Sequence, residues 1–138
     1  MKSTLKPGLS RSCRVMVGRE RTIGFMGEGG RVYSTPSLVL DIEETCRNLL
    51  LEHVDGGEDS VGIAIALRHT APTLLGMTVE IAATGTAVEG RKVTFEIAAK
   101  DELEPIGDGT HSRFVVDIDK TQDRLKAKAA RWQTAGST

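Results

Sequence analysis

A single long helical pattern, residues 37–53, sets the terms on which this chain can fold. Leu38, Ile42, Cys46 and Leu49 recur at three- and four-residue steps, the spacing that lines one face of an α-helix. Leu40 and Leu51 fall outside that stripe, so the helix is apolar around much of its circumference. Such a helix belongs inside a structure rather than on its surface. Ser34-Thr35-Pro36-Ser37 gives its start, with Thr35 before a proline whose missing donor the first turn does not need. Asp55-Gly56-Gly57 closes it.

The rest of the patterned sequence is mostly strand. Cys13, Val15 and Val17 alternate through residues 10–18. Residues 60–70 set Val61, Ile63, Ile65, Leu67 and His69 on one face, against Gly62, Ala64, Ala66 and Arg68 on the other. Residues 77–88 and 91–100 flank Glu89-Gly90, a tight hairpin turn. Residues 106–118 form the last strand, where Gly107 and Gly109 mark a bulge near its start. Between the first strand and the helix, residues 18–34 hold five glycines with Phe25, Met26 and Tyr33, and read as a long lid-like loop. A tail helix over about 120–132 carries Leu125, Ala129 and Trp132 on one side and five basic residues around them. One apolar helix against an antiparallel sheet is an α+β layer arrangement.

Length and charge narrow the class. A chain of 138 residues is one domain, 1–138, with room for a single core. With 18 basic and 19 acidic side chains it has no field to draw nucleic acid, and few aromatics on which bases would stack. Cys13 and Cys46 have no metal-ligand spacing, so neither a metal nor a redox cofactor is expected. No apolar run is long enough to span a membrane, and residues 1–13 lack the apolar stretch of a secretory signal. The expected compartment is the cytoplasm.

Three polar residues stand where the pattern asks for apolar ones. Thr35 opens the helix, Glu43 lies two turns on among Val39, Cys46 and Leu50, and His69 ends the 60–70 strand. A hydroxyl, a carboxylate and an imidazole facing an apolar interior are the parts of acyl-transfer chemistry. Each also has a plainer reading. Thr35 serves as a helix N-cap. Glu43 faces water or pairs with Arg47 one turn on. His69 donates to a backbone carbonyl. His53 and His111 read as structural or exposed, and Arg113 as paired with an acidic side chain or, with the tail helix, as a contact for coenzyme A phosphates.

The order of elements resembles the hot-dog fold of acyl-CoA thioesterases, and within it the fluoroacetyl-CoA thioesterase family. The matching segments are Ser34-Thr35 with Glu43 and Thr45-Cys46, Val61-Gly62 to His69-Thr70-Ala71, and Gly76 through Val79. Val88-Glu89-Gly90-Arg91, Ile106-Gly107 and Gly109-Thr110-His111 with Arg113 complete them, so that the likeness runs from about residue 7 to 120. The resemblance implies a five-stranded antiparallel sheet wrapped around a central helix, with the C-terminal helix outside it. It implies that Thr35, Glu43 and His69 are the catalytic trio. By the same likeness Gly62 and Arg113 stand at the acyl pocket and its gate, and Thr70, Tyr33 and Phe25 are further substrate-binding candidates. It implies a homodimer, or a higher homo-oligomer, joined sheet edge to sheet edge with sites at the subunit interface. The implied activity is hydrolysis of a small or medium acyl-CoA, with coenzyme A present only as part of the substrate. A non-catalytic acyl-CoA or small-ligand binding module on the same fold is the alternative. A hydratase ranks third, because Asp41 is not followed by a histidine at the spacing those enzymes use. Two departures bear on the acyl group: the 18–34 stretch is shorter and more glycine-rich than the family's phenylalanine-lined lid, and Pro36 follows Thr35 where a glycine is usual.

Overall fold

A computed structural model describes residues 1–136. Strand β1 (Ser10–Met16) leads through two short strands, β2 (Thr22–Ile23) and β3 (Val32–Tyr33), into helix α1 (Thr35–Leu51). Strands β4 (Glu58–His69), β5 (Thr78–Glu89), β6 (Lys92–Lys100) and β7 (Pro105–Asp117) follow, then helix α2 (Ile118–Gly136). The main sheet is antiparallel throughout in the order β1-β5-β6-β7-β4, so β1 and β4 are its edges. This is the five-stranded sheet around one helix that the sequence implied.

Helix α1 explains the architecture. Leu38, Ile42, Cys46, Leu49 and Leu50 are buried along it and meet Val79, Ile81 and Ala83 of β5, Val93, Phe95 and Ile97 of β6, and Val115 of β7. Removing a leucine- or isoleucine-sized side chain from water stabilises the fold by roughly 2 kcal/mol, so this seam holds the helix against the sheet. The helix is capped by Ser34, not by Thr35: Ser34 Oγ accepts from the Ser37 amide at 3.2 Å and its carbonyl accepts from the Leu38 amide. Thr35 is therefore a first-turn residue, and its hydroxyl is free of the capping role.

Three other expectations are revised. Residues 18–34, expected as one long lid-like loop, carry short elements of their own. They form two short 3-10 turns, Arg19–Arg21 and Glu28–Gly30, and a small β2–β3 hairpin. Glu28 grips Arg19 and Arg31 together, Arg31 also reaches Thr22 at 3.2 Å, and Arg21 pairs with buried Asp41 on α1. Ion pairs close this segment where glycine content alone suggests looseness.

The face assignment on β4 also changes. Val61 pairs with Phe114 and Gly62 with Arg113, but Ala64, not Ile63, pairs with Ser112. Ile63 is a bulge residue, and the extra residue reverses the alternation. Val61 thus lies on the outer face, while Gly62, Ile65, Leu67 and His69 share the helix face with Arg113, His111, Gly109 and Gly107. Gly107 is required there because a Cβ would sit 2.8 Å from the Arg68 carbonyl oxygen; the bulge on β7 itself falls at Ile106, which β6 skips.

Helix α2 is longer than the 120–132 pattern. None of its described residues is buried, and Leu125 and Trp132 face solvent. No helix among the described residues is long and apolar enough to cross a membrane.

Candidate active site

Two polar clusters lie between α1 and β4. The first joins their ends: Thr35 Oγ1 is 2.8 Å from His69 Nδ1. His69 Nε2 is buried with no hydrogen-bond partner among the described residues. Burial lowers the His69 pKa below its ordinary 6.5, so the ring is neutral near pH 7. Tyr33 sets its ring edge-on to the imidazole, with centroids 6.3 Å apart. The Tyr33 hydroxyl donates to Asp41 at 2.5 Å, and Arg21 Nε donates to the same carboxylate at 3.2 Å. Burial, reinforced by Asp41, raises the Tyr33 pKa, so the phenol stays protonated and holds its ring in place. A cavity of about 280 Å³ opens here, lined by Ile23, Val32, Tyr33, Thr35, His69, Thr70, Ala71 and Pro72. Asp41, the residue weighed above for a hydratase, is 3% exposed and wholly engaged in this support.

The second cluster surrounds Gly62. A Cβ there would meet Glu43 Oε1 at 3.1 Å, His111 Cε1 at 3.2 Å and Arg113 Nη1 at 3.5 Å. Glu43 lies eight residues past Thr35, about 12 Å along α1, half-buried. It makes no hydrogen bond or ion pair among the described residues, and neither pairs with Arg47 nor reaches His69. Arg47 instead holds Asp59, with Nη2 2.7 Å from Oδ2. The Arg113 guanidinium donates to Ser60 Oγ at 2.8 Å, to the Ser60 carbonyl at 2.9 Å and to His111 Nε2 at 3.2 Å. Burial lowers its pKa while the Glu43 charge opposes that shift.

Of the residues singled out by sequence, the structure thus joins Thr35 with His69 and lines the same cavity with Tyr33 and Thr70. It joins Glu43 with Gly62 and Arg113. Phe25 is 90% exposed on the β2–β3 hairpin and does not line the cavity. Arg113 is buried and spends three of its five donors on Ser60 and His111, and that burial removes it from contact with phosphates at the surface. His111, read as structural or exposed, is 1% exposed and belongs to the second cluster. Its signal lay in the run Gly107, Gly109, His111, Arg113, Val115, a period-two face that ends on an apolar residue. Cys46, beside the cluster, is no nucleophile: burial pushes its thiol up to about 12. Among the described residues no group of three or more His, Cys, Asp or Glu side chains is placed to hold a metal ion.

Residues 17–119 match the family model described as fluoroacetyl-CoA-specific thioesterase. The chain belongs to that family. A fluoroacetyl-CoA thioesterase from Streptantibioticus cattleyicolor is 35% identical over 97 residues, 70% of each chain. A structure of the fluoroacetyl-CoA thioesterase superposes with a TM-score of 0.84 at 28% identity, covering 91% of this chain and 98% of that one. A thioesterase-superfamily member from Thermus thermophilus gives a TM-score of 0.88 at 27% identity, covering 96% of this chain and 98% of the other. Both clusters fall inside the span matched to the thioesterase family, whereas β1 and nearly all of α2 lie outside it.

Proposed function

We propose that this chain hydrolyses a small or medium acyl-CoA to the free acid and coenzyme A, using Thr35, Glu43 and His69. The observation that carries this reading is the Thr35–His69 hydrogen bond, which leaves a buried Nε2 facing no protein partner. Such an atom asks for a hydrogen bond from a ligand or water. The Thr35 hydroxyl and the Thr35 amide would receive the negative charge that grows on the thioester oxygen, since Pro36 has no N–H and the amides of Ser34, Ser37 and Leu38 are already bonded. Glu43 would supply the carboxylate in one of two ways. In the first, it draws a proton from the water that attacks the carbonyl and passes that proton to the sulfur as the C–S bond breaks. In the second, it attacks the carbonyl itself, expelling the thiolate, which takes a proton from water, and leaving a mixed anhydride that a second water hydrolyses to the acid and free Glu43. No metal enters the scheme, and coenzyme A enters only as part of the substrate.

The distance of Glu43 from His69 within one chain is resolved by pairing. Strand β4 is a sheet edge, and Val61, Ile63 and Ile65 on it are 41%, 50% and 38% exposed. An apolar edge of this length is a template for another strand. In a homodimer with β4 paired antiparallel to its own copy about a two-fold at Ala66, Ile65 stands opposite the partner's Leu67 and, because Ile63 is bulged, Gly62 stands opposite the partner's His69. Glu43, beside Gly62, then faces the Thr35–His69 cluster of the other protomer, giving two composite sites. The free thiols Cys13 and Cys46 fit a reducing compartment, the cytoplasm.

The test is release of free thiol from a panel of acyl-CoA thioesters, with Glu43→Gln as control. Turnover by the native chain and its loss in the variant support the reading. Tight binding without turnover across the panel would leave a binding module instead.

A further inference from the structure

We propose that His111 is the positioning residue that aims the Arg113 guanidinium at the Glu43 end of the site, and so selects which acyl groups fit beside Gly62. The selective role rests on the thioesterase reading above; the positioning does not. His111 Nδ1 lies 2.9 Å from the Ala64 carbonyl oxygen. A carbonyl only accepts, so Nδ1 carries the proton. The other ring nitrogen, Nε2, lies 3.2 Å from Arg113 Nη1, and a guanidinium only donates. Nε2 must therefore be bare. Both ends of the ring demand one neutral tautomer, and a second proton would set N–H against N–H in a site 1% exposed.

The two bonds have a joint geometrical effect. Ala64 is the first paired residue after the bulge at Ile63, and Ser60, which holds Arg113 Nε and Nη2, lies just before it. Side chains from β7 thus brace the bulge from both sides, and the bulge turns Gly62 toward Glu43. The walls of the gap at Gly62 are Glu43, the His111 ring edge and Arg113 Nη1, all within 3.5 Å of where a Cβ would stand. Moving the guanidinium alters the shape and the charge of that gap. Bulk at this position alone would not require a histidine, since an aromatic ring of similar size fills space without orienting Arg113.

Two readouts separate positioning from simple packing. The chain has three histidines, so ring nitrogen resonances are assignable by single substitution. In the native protein at pH 7 His111 should show the neutral Nδ1–H tautomer; the Nε2–H tautomer or an imidazolium there overturns the positioning. In the second, acetyl-, butyryl- and hexanoyl-CoA are compared across two variants. His111→Asn keeps a donor for Ala64 but loses the acceptor for Arg113, whereas His111→Gln can restore an acceptor. The Asn variant should shift the kcat/KM ratio between the shortest and longest acyl groups about tenfold, and Gln should return it toward the native ratio. A uniform loss across all three substrates, tracking a fall in melting temperature alike in both variants, assigns His111 to stability only and overturns the selective role. If the native chain turns over none of the three, the thioesterase reading and the selective role fail together, while the tautomer still decides the positioning. Should both variants fail to fold, the native tautomer decides alone.

Discussion

Thr35 Oγ1 and His69 Nδ1 stand 2.8 Å apart, and this contact ties the first turn of α1 to the last residue of β4. It exists because the neighbouring hydroxyl, Ser34, performs the capping. The two adjacent residues therefore divide the work: Ser34 caps the helix and Thr35 meets His69. Ser34→Ala should destabilise the protein by about 1 kcal/mol in denaturant unfolding, the usual worth of an N-cap. Thr35→Ala should lower turnover by about a hundredfold with little change in unfolding midpoint. A Thr35→Ala variant that unfolds early and keeps its turnover would reverse the assignment.

Gly62 is the tightest point of the second cluster. An added methyl meets Glu43 Oε1 at 3.1 Å, the mobile end of a side chain, and His111 Cε1 at 3.2 Å, part of a fixed ring. Gly62→Ala should therefore fold, with a melting temperature close to native, but displace the carboxylate. The expected result is a loss of about tenfold or more in kcat/KM, larger for longer acyl groups. Equal values for Ala and Gly across an acyl series would show that this gap receives no part of the substrate.

The Asp41 carboxylate holds Tyr33 and Arg21 from inside the fold. Asp41→Ala leaves the buried Tyr33 hydroxyl unpartnered and frees the Arg19–Arg21 turn, a loss of about 3 kcal/mol. Tyr33→Phe removes only one hydrogen bond and should cost about 1 kcal/mol. Denaturant midpoints of the two variants, measured side by side, check the difference; equal losses would mean that Arg21 contributes nothing.

Acid should act on the two buried rings before it acts on carboxylates. Burial holds His69 and His111 below 6.5 in the folded state, so the unfolded chain binds protons first as pH falls. Stability is full above pH 6.5 and is lost as pH falls from there through the folded values. Glu58, which Met1 and Arg91 hold down to about 2, adds its loss only below 4.5. Chemical unfolding should give a midpoint near its maximum at pH 7 and a decline between 6.5 and 5, while the Met1 amino group, raised above 8.0 by Asp55 and Glu58, adds a separate loss only as pH rises past that value. A flat midpoint down to 5 would contradict the burial of both rings.

Much of this was legible in the chain. The buried helix followed from Leu38, Ile42, Cys46 and Leu49, and the strands from their alternation. The bulge at Ile63 left no trace, because Val61, Ile63, Ile65 and Leu67 alternate without a fault; the slip is set by Ser60 and Ala64 bonding to side chains on β7. Ser34 and Thr35 are equivalent as caps until the backbone direction is known. The ordering of residues 18–34 depends on Arg19, Glu28, Arg31 and Asp41 meeting in space, which glycine content cannot report. Helical spacing puts Glu43 beside Cys46, but its separation from His69 within one protomer follows from the run of β4 across α1, a tertiary fact.

The most direct test mixes two inactive proteins. On the proposed dimeric reading, the Glu43→Gln and His69→Ala variants are each expected to lack turnover alone. If each site takes Glu43 from one protomer and Thr35 with His69 from the other, mixed dimers hold one intact site and one doubly altered site. Equal amounts, exchanged by mild unfolding and refolding, should recover about a quarter of native activity. No recovery in a mixture shown to contain mixed dimers would contradict the composite site.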